Sequence, residues 1–544
     1  MSDQPKTGPT IWERSTIVRF FRWLFSWRGM RRVFIVLAWT VTIIALWYGE
    51  ENWRGRRAWN QYRNAVEARG ESLDFASYIP KPVPDDENFA ATPFLKTFPD
   101  TNYNILTNDL YARAADHISE TNIAKALGHR HLTDLVAWQT ASAALQSGGL
   151  KRTQKFETEK TGLEERATAA EAVLEGMKPD EAVFAELRAA SSRPYSRYPL
   201  FYDLENPWGI MLRHLAKIKG LCQRLKLEAC AELAAGRSDQ ALADVKLTLA
   251  LADSVKTEPF LISSLVRLAN LQIAIQPVWE GLAERRWTDT QLQELQTRFL
   301  SYNFLADMQQ PLQEERTCGA LGVDMVKKQG LVFLEDLSNG DPRSPFQKLA
   351  FALIRRLMPS GWYDQEKLNY VTLFDAEMSG VVDLAARKVS PSAAALNGNE
   401  LNRQLGRESV QRGSLDVGHG PPPLKALLQH RLIASMLLSD MSNMSAKFAS
   451  AQVACDQAAL ACALERYRLA NGQFPETLTA LTPKFMFREP NDVVTGQPYK
   501  YRRTEDGQFV LYSVGWNEKD DGGVPGKSLF DTKEGDWVWE YPGK

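Results

Sequence analysis

Histidine and cysteine are scarce in this chain, with six of the first and five of the second in 544 residues. None of Cys222, Cys230, Cys318, Cys455 and Cys462 falls into a C-x-x-C pair, which removes zinc-ribbon and thioredoxin-like readings. Cys222 and Cys230 lie on one predicted helix, about 12 Å apart at roughly 1.5 Å rise per residue, too far for a bridge within it. Cys455 and Cys462 are also too far apart along theirs. The odd count leaves at least one thiol unpaired, and all five read as small buried apolar residues. There is no H-E-x-x-H, G-x-S-x-G, Walker loop or dinucleotide fingerprint, so the sequence names no catalytic or cofactor-binding residue. An excess of charge of one sign is missing too. The 65 basic and 66 acidic residues leave a formal net charge of -1, which argues against a nucleic-acid binder, whose surface must displace phosphate counterions.

What is present is ordinary globular composition, 24% charged and 44% hydrophobic, over a length that suits roughly two to four folded units. One segment stands apart. Val33 to Tyr48, VFIVLAWTVTIIALWY, carries no charge and is flanked by Arg31-Arg32 and Glu50-Glu51. It sits at the short end of what spans a bilayer, about 17–25 residues, and Gly49 with the snorkelling arginines extends it. Trp47 and Tyr48 suit the far interface. A buried core helix would not be apolar all round with such sharp charged flanks. A cleaved signal peptide is the other reading, but no small-x-small site follows the run and a polar helix does, so an uncleaved anchor is expected. Basic residues are denser before the run (Lys6, Arg14, Arg19, Arg22, Arg28, Arg31, Arg32) than after it (Arg54, Arg56, Arg57, Arg63, Arg69), which puts the N-terminus in the cytoplasm. Ile11 to Met30 mixes Trp12, Phe20, Phe21, Trp23, Phe25 and Trp27 with arginines, as an interfacial helix on an anionic leaflet would.

Beyond the membrane, residues 50–133 read as a juxtamembrane helix followed by an irregular connector that includes the proline-stiffened Tyr78 to Asp85. Residues 134–389 read as a helical body. Met211, Leu215, Ile218, Cys222, Leu225, Ala229 and Leu233 draw one stripe at spacings of three and four, and Gly236 ends that helix. Leu242, Val245, Leu249 and Ala252 begin its partner in a helical hairpin like one tetratricopeptide unit, with no second copy at a fixed spacing. Thr257 and Pro259 are placed as an N-cap and first-turn proline, and Thr288 with Gln291 as a capping box. Arg193 to Trp208 is an aromatic loop, core-covering by preference, with a ligand groove as the lesser reading. Residues 390–423 are small and polar and read as a flexible linker, and Leu424 to about Ala470 as one long helix.

The last part of the chain is the most patterned. A helix ends in Leu464, Tyr467, Arg468, Asn471, Gly472, Phe474 and Pro475. Then come Thr495, Gly496, Pro498, Tyr499 and Tyr501 in one β-prone run, a Glu505-Asp506-Gly507 turn, and Leu511, Tyr512, Ser513, Val514 and Gly515 in the next. An acidic, glycine-rich loop leads on to Trp537. This order resembles the globular domain of the major pseudopilin of bacterial type II secretion systems and covers about a sixth of the chain. The family's processed, methylated leader does not precede the module here, so it reads as a borrowed interaction domain rather than a polymerising subunit. The resemblance implies a bacterial protein facing outward from the cytoplasmic membrane, and the whole layout looks like large single-pass bacterial membrane proteins that end in this module. It also implies a calcium site in the loop, for which Asn517, Asp520, Asp521, Asp531 and Asp536 are the candidates, oxygen ligands being what calcium takes. A solvated acidic loop is the other reading, and Asn517 stands where the family has an aspartate. His129, Arg130 and His131, with Asp116 and His117 upstream, lack the second ligand pair of a metal site, and His419 sits within the linker.

The expected fold is mainly α: a membrane-anchor helix at 33–49 after a cytoplasmic tail, a large helical body, and an α+β pseudopilin-like module over 424–544. The expected function is a membrane-tethered envelope scaffold or interaction protein, linked to a secretion or pilus-like system, with membrane lipid and other envelope proteins as partners and no nucleic acid. The alternative is a membrane-anchored envelope enzyme whose site lies in the helical body.

Overall fold

The computed structural model describes residues 15–99, 114, 118, 130–148, 163–330, 352–406, 423–438 and 441–541. The chain is mainly α, with 64% helix and 5% strand. Its larger helices are α1 (Thr16–Leu24), α2 (Trp27–Ala68), α3 (Leu135–Gln146), α4 (Leu163–Met177), α5 (Glu181–Ala190), α6 (Arg213–Ala234), α7 (Ser238–Asp253), α8 (Leu261–Ala283), α9 (Asp289–Leu300), α10 (Gln309–Gln329), α11 (Ser360–Met378), α12 (Pro391–Gln404), α13 (Leu432–Leu437) and α14 (Ser442–Asn471). A two-stranded hairpin pairs β1 (Val382–Asp383) with β2 (Lys388–Val389). A three-stranded antiparallel sheet near the C-terminus orders β3 (Lys500–Arg503), β4 (Phe509–Ser513) and β5 (Trp537–Trp539). The chain forms two compact units.

The first unit comprises residues 1–69, 322–369 and 422–435. The aromatic stretch expected as one interfacial helix is two. α1 stops at Leu24, and Ser26 caps α2 by accepting from the Gly29 amide at 3.1 Å. Gly29 is required there, since a Cβ would lie 1.7 Å from the Trp23 carbonyl oxygen. α2 therefore begins before the apolar run and continues well past it, as expected for residues 50–70, over about 63 Å at 1.5 Å per residue. No residue of its most apolar stretch is buried. Thr40 and Thr42 return their hydroxyls to the carbonyls of Val36 and Ala38, both at 2.8 Å, so the run offers no unpaired hydroxyl donor to its surroundings. This is a helix of the length and composition of a signal anchor or signal sequence.

Past the run, α2 packs on the start of α11 backbone to backbone. A Cβ on Gly55 would sit 2.0 Å from the Gly361 carbonyl oxygen, and one on Gly361 2.3 Å from that of Glu51. Asn52 Oδ1 accepts from the Gly361 amide (2.8 Å) and Ser360 hydroxyl (2.9 Å), and Glu51 Oε2 from the Trp362 indole at 2.8 Å. Farther along α11, the buried Glu366 carboxylate accepts from the amides of Leu432, Ile433 and Ala434 at 2.8–3.0 Å and so caps α13 from another helix.

The second unit comprises residues 70–321, 370–421 and 436–544. Its centre is the hairpin α6–α7 packed on α8, with α14 against α8 and α9. The expected stripe on α6 is buried from Leu215 to Leu233, while Met211 precedes the helix and is exposed. Gly236, at φ +81°, ends it as expected. The Thr288–Gln291 capping box is present. The Thr257–Pro259 start is not: α8 begins at Leu261 without a side-chain cap. Glu258 is drawn inward instead, to the His214 ring (2.6 Å) and the Ser263 hydroxyl (2.5 Å), by a turn over residues 254–257 and a bend at 258–259. α8 is apolar enough to cross a membrane by composition, but 61% of that stretch is buried, so it is a core helix.

The expected linker over 390–423 is helical in its first part, where Ser390 caps α12 and Pro391 occupies its first turn; residues 407–422 lie outside the described ones. The single long helix expected over Leu424–Ala470 is three, Pro423–Leu428, α13 and α14. His430 breaks the first from the second at φ +53°. α14 is buried on every side from Ala451 to Glu465, which its alanines and cysteines allow by letting neighbours approach closely. The polar side chains of that buried stretch are engaged. Gln452 accepts from the Phe304 amide at 2.8 Å, Asp456 takes Arg387 at 2.8 Å and the Tyr499 hydroxyl at 2.9 Å, and Gln457 donates to the Trp537 carbonyl at 2.7 Å. The C-terminal elements are thus built into this unit's core. All five cysteines are free thiols; Cys318 is half-buried and the rest are buried.

Candidate functional site

The proposed calcium loop covers the outer face of the C-terminal sheet. In β4 every residue is buried. Phe509 packs among the rings of Phe474, Tyr501 and Tyr541, while Val510 and Tyr512 cluster with Val538 on the opposite face. Gly523, at φ +81°, lies against Val510 and Tyr512. The structure brings Asn517, Asp520, Asp521 and Asp536 into one hydrogen-bonded loop. Asp536 accepts from the amides of Asp521 (3.2 Å) and Gly523 (2.6 Å), Asp521 meets Lys519 (2.6 Å) and Asn517 (3.3 Å), and Asp520 accepts from Gly522 (3.0 Å) and Tyr512 (3.2 Å). Asp531 turns its carboxylate to the amides of Lys533 and Glu534, and its carbonyl accepts from the Trp537 indole at 2.8 Å. Hydrogen bonding holds Asp520 and Asp521 below the usual carboxylate range, through the Gly522 amide and Lys519 respectively, whereas burial raises Asp536. Among the described residues no group of three or more His, Cys, Asp or Glu is placed to hold a metal ion. In this arrangement packing and amide donors hold the loop. On that account the full chain melts at the same temperature in millimolar calcium and in chelator, and a calcium-dependent rise that Asp520→Ala with Asp521→Ala removes would restore the metal reading.

Of the histidine cluster, Asp116, His117 and His129 lie outside the described residues, as does His419. Arg130 spans Gln276 (3.2 Å) and Gln272 (2.9 Å) of α8, and the His131 carbonyl accepts from Gln276 at 2.8 Å. These contacts fasten the chain to the body.

A groove of about 720 Å³ lies beneath the aromatic loop of the second unit. Its floor is Arg267 of α8, 4% exposed. Arg267 Nε lies 2.8 Å from Asp253 Oδ1 and Nη1 2.7 Å from Asp307 Oδ2, with the guanidinium 4.8 Å above the Phe304 ring. Asp253 Oδ2 also accepts from Tyr302 (3.0 Å) and Arg298 (2.5 Å), and Lys256 pairs with Asp307 at 3.1 Å. The rim is two segments zipped together. Phe89 donates to the Tyr195 carbonyl at 2.8 Å, Asn88 bonds the Arg197 backbone in both directions, and Arg197 Nε reaches the Pro80 carbonyl at 2.9 Å. With Tyr198 buried beneath it, the loop covers the core as expected and walls the groove as well. The lining holds six cations (Lys81, Arg193, Arg197, Lys256, Arg267, Arg298) against two carboxylates, an excess of four positive charges. Both oxygens of Asp253 and of Asp307 are engaged by cations, so neither carboxylate is free to act as a base. The arrangement suits gripping a phosphate or carboxylate group.

Sequence reasoning marked the loop but missed the floor, because its ion pairs join residues of four helices far apart in the chain. It also missed the buried carboxylates. Behind the groove, Gln310 donates to Glu314 Oε1 at 2.7 Å while Oε2 is buried without a hydrogen-bond partner. Burial pushes Glu314 up to about 8 and Glu315 to about 7. In the unfolded chain a glutamate ionises near its ordinary value of 4.5, in the folded one near 8, so this residue makes stability fall as pH rises between them. Glu314→Gln should flatten that fall by roughly 3–5 kcal/mol, at about 1.4 kcal/mol per unit, in denaturant unfolding measured from pH 5 to pH 9. An unchanged slope would mean that Glu314 is ionised in the folded chain.

No protein-family model matches the chain, and neither a search of curated proteins nor one of solved structures finds a match.

Proposed function

We propose that this chain is a membrane-tethered scaffold or interaction protein of the bacterial cell envelope, linked to a secretion or pilus-like system. Its N-terminus is in the cytoplasm and its bulk is outside. The observation that carries the reading is the apolar run of α2, exposed on all sides over a stretch that carries no charge. In water such a surface is costly, and in a bilayer it is satisfied. The density of arginine before the run supports the orientation. The C-terminal order supports the link to pseudopilin-like proteins: a long helix ending at Asn471-Gly472, a β3–β4 hairpin and a closing strand. The groove is where a catalytic reading would have to place its chemistry. With Asp253 and Asp307 held by cations, it favours a ligand-holding role, and so an interaction protein over an enzyme.

The test is cross-linking in intact bacteria, then purification of the full chain from solubilised membranes. A stoichiometric envelope protein cross-linked to it is expected. A chain recovered alone, with hydrolytic or transferase activity that Arg267→Met abolishes, would support the enzyme instead.

A further inference from the structure

The first unit carries a second apolar surface besides the α2 run. Residues 352–357 are helical, and Leu353 and Leu357, one turn apart, are each 57% exposed. Its place relative to α2 is fixed by three contacts. Trp362 donates to Glu51 at 2.8 Å and packs edge-on against Trp47 with ring centroids 5.7 Å apart, and the Tyr48 hydroxyl donates to the Leu357 carbonyl. Followed backwards, the chain descends from Trp362, beside Glu51, to Leu357, beside Tyr48, the last residue of the apolar run. Leu353 is a further turn along, about 6 Å at 1.5 Å per residue. Leu357 thus lies where the aromatic pair Trp47–Tyr48 marks the edge of the apolar run, with Leu353 one helical turn from it. Between them stand Arg355 and Arg356, both exposed. Arg355 donates to the Lys328 carbonyl at 3.1 Å, which ties the short helix to the end of α10. Two leucines flanking two arginines is the make-up of a segment lying in the headgroup layer, with apolar side chains dipping inward and guanidinium groups at the phosphates.

We propose that residues 352–357 form a second membrane contact, seated in the lipid interface beside the outer end of α2, with Leu353 and Leu357 inserted and Arg355 and Arg356 at lipid phosphates. The occupant is a lipid surface because the exposed leucines continue the border of the apolar run. The inference rests on α2 being a membrane anchor. Its consequence is mechanical. A single helix leaves the attached unit free to swivel, whereas a second contact on a segment bound to α2 through Trp362, Glu51 and Tyr48 sets one orientation of the first unit against the membrane.

The full chain in phosphatidylglycerol–phosphatidylethanolamine vesicles, labelled by a carbene-generating phospholipid and mapped by peptide mass spectrometry, tests this. Label is expected in two places, residues 33–47 and 352–357. Leu353→Glu with Leu357→Glu should reduce the second at least about fivefold and leave the first unchanged, which also reports that the variant is still inserted. Label at 33–47 alone would overturn the second contact while leaving the anchor intact. Second-site label that the double substitution does not reduce would overturn the role of the leucines. Label at neither place would overturn the anchor itself.

Discussion

Arg166→Met should cost the second unit roughly 3–5 kcal/mol, the usual penalty for removing one partner of a buried ion pair. Arg166 is 7% exposed; its Nη2 lies 2.7 Å from Glu280 Oε2 and its Nε 3.1 Å from Glu284. Glu280, 1% exposed, also accepts from Thr133 through the amide (3.0 Å) and hydroxyl (2.6 Å), from Gln276 (3.0 Å) and from the Cys230 thiol (3.3 Å). Burial alone would raise Glu280, but Arg166 and these donors outweigh it and hold the carboxyl below its ordinary value. Without the arginine a buried carboxylate keeps its neutral donors and loses its counter-charge. Denaturant unfolding of the detergent-solubilised chain measures the loss. Arg166→Met combined with Glu280→Gln should recover most of it, because the uncompensated charge is then gone. If the double variant is no better than the single one, the arginine acts through packing and not through charge.

Ile43→Arg should release a large share of the chain from the membrane. A charge near the middle of a spanning helix costs about 2.5–3.5 kcal/mol on insertion scales. The uncharged run is only VFIVLAWTVTIIALWY, so that cost is a large part of its drive to insert. Ile43 is 61% exposed and touches no core, so its substitution leaves the packing of either unit intact. Membrane fractionation reads the effect, with Ile43→Leu as the control that should behave as the parent does.

What could be read from the sequence was whatever is encoded locally. The charge-free run, the α6–α7 hairpin with its Gly236 stop, the Thr288–Gln291 box, the Asn471-Gly472 end of α14 and the Asp506-Gly507 hairpin all depend on neighbours a few residues away. α12 had a local signal as well, Ser390 followed by Pro391, but the small polar composition of the surrounding stretch obscured it. The rest depends on distant partners. α14 starts where it does because Glu377 of α11 accepts from the Met441 amide at 2.7 Å, and α13 because Glu366 collects three amides. No periodicity in 424–470 could show either break. Phe509 and Leu511 alternate with Val510 and Tyr512 along β4, so the strand presents two faces. Val510 and Tyr512 lie on the opposite face, which the 517–536 loop covers, and that cover depends on residues distant from β4 in the chain. The groove is the least legible of all, since its floor joins Arg267, Asp253, Asp307 and Arg298 from separate elements.

The central claim is that α2 is an uncleaved anchor holding the rest of the chain outside the cytoplasm. Alkaline phosphatase, active only after export, fused behind Lys544 and assayed in bacterial membranes washed with alkaline carbonate, tests it most directly. The account predicts an active fusion of full-length mass that stays in the washed membranes. An inactive fusion would contradict the orientation, and an active one shortened at its N-terminus and recovered in the wash would make α2 a cleaved signal sequence and contradict the anchor.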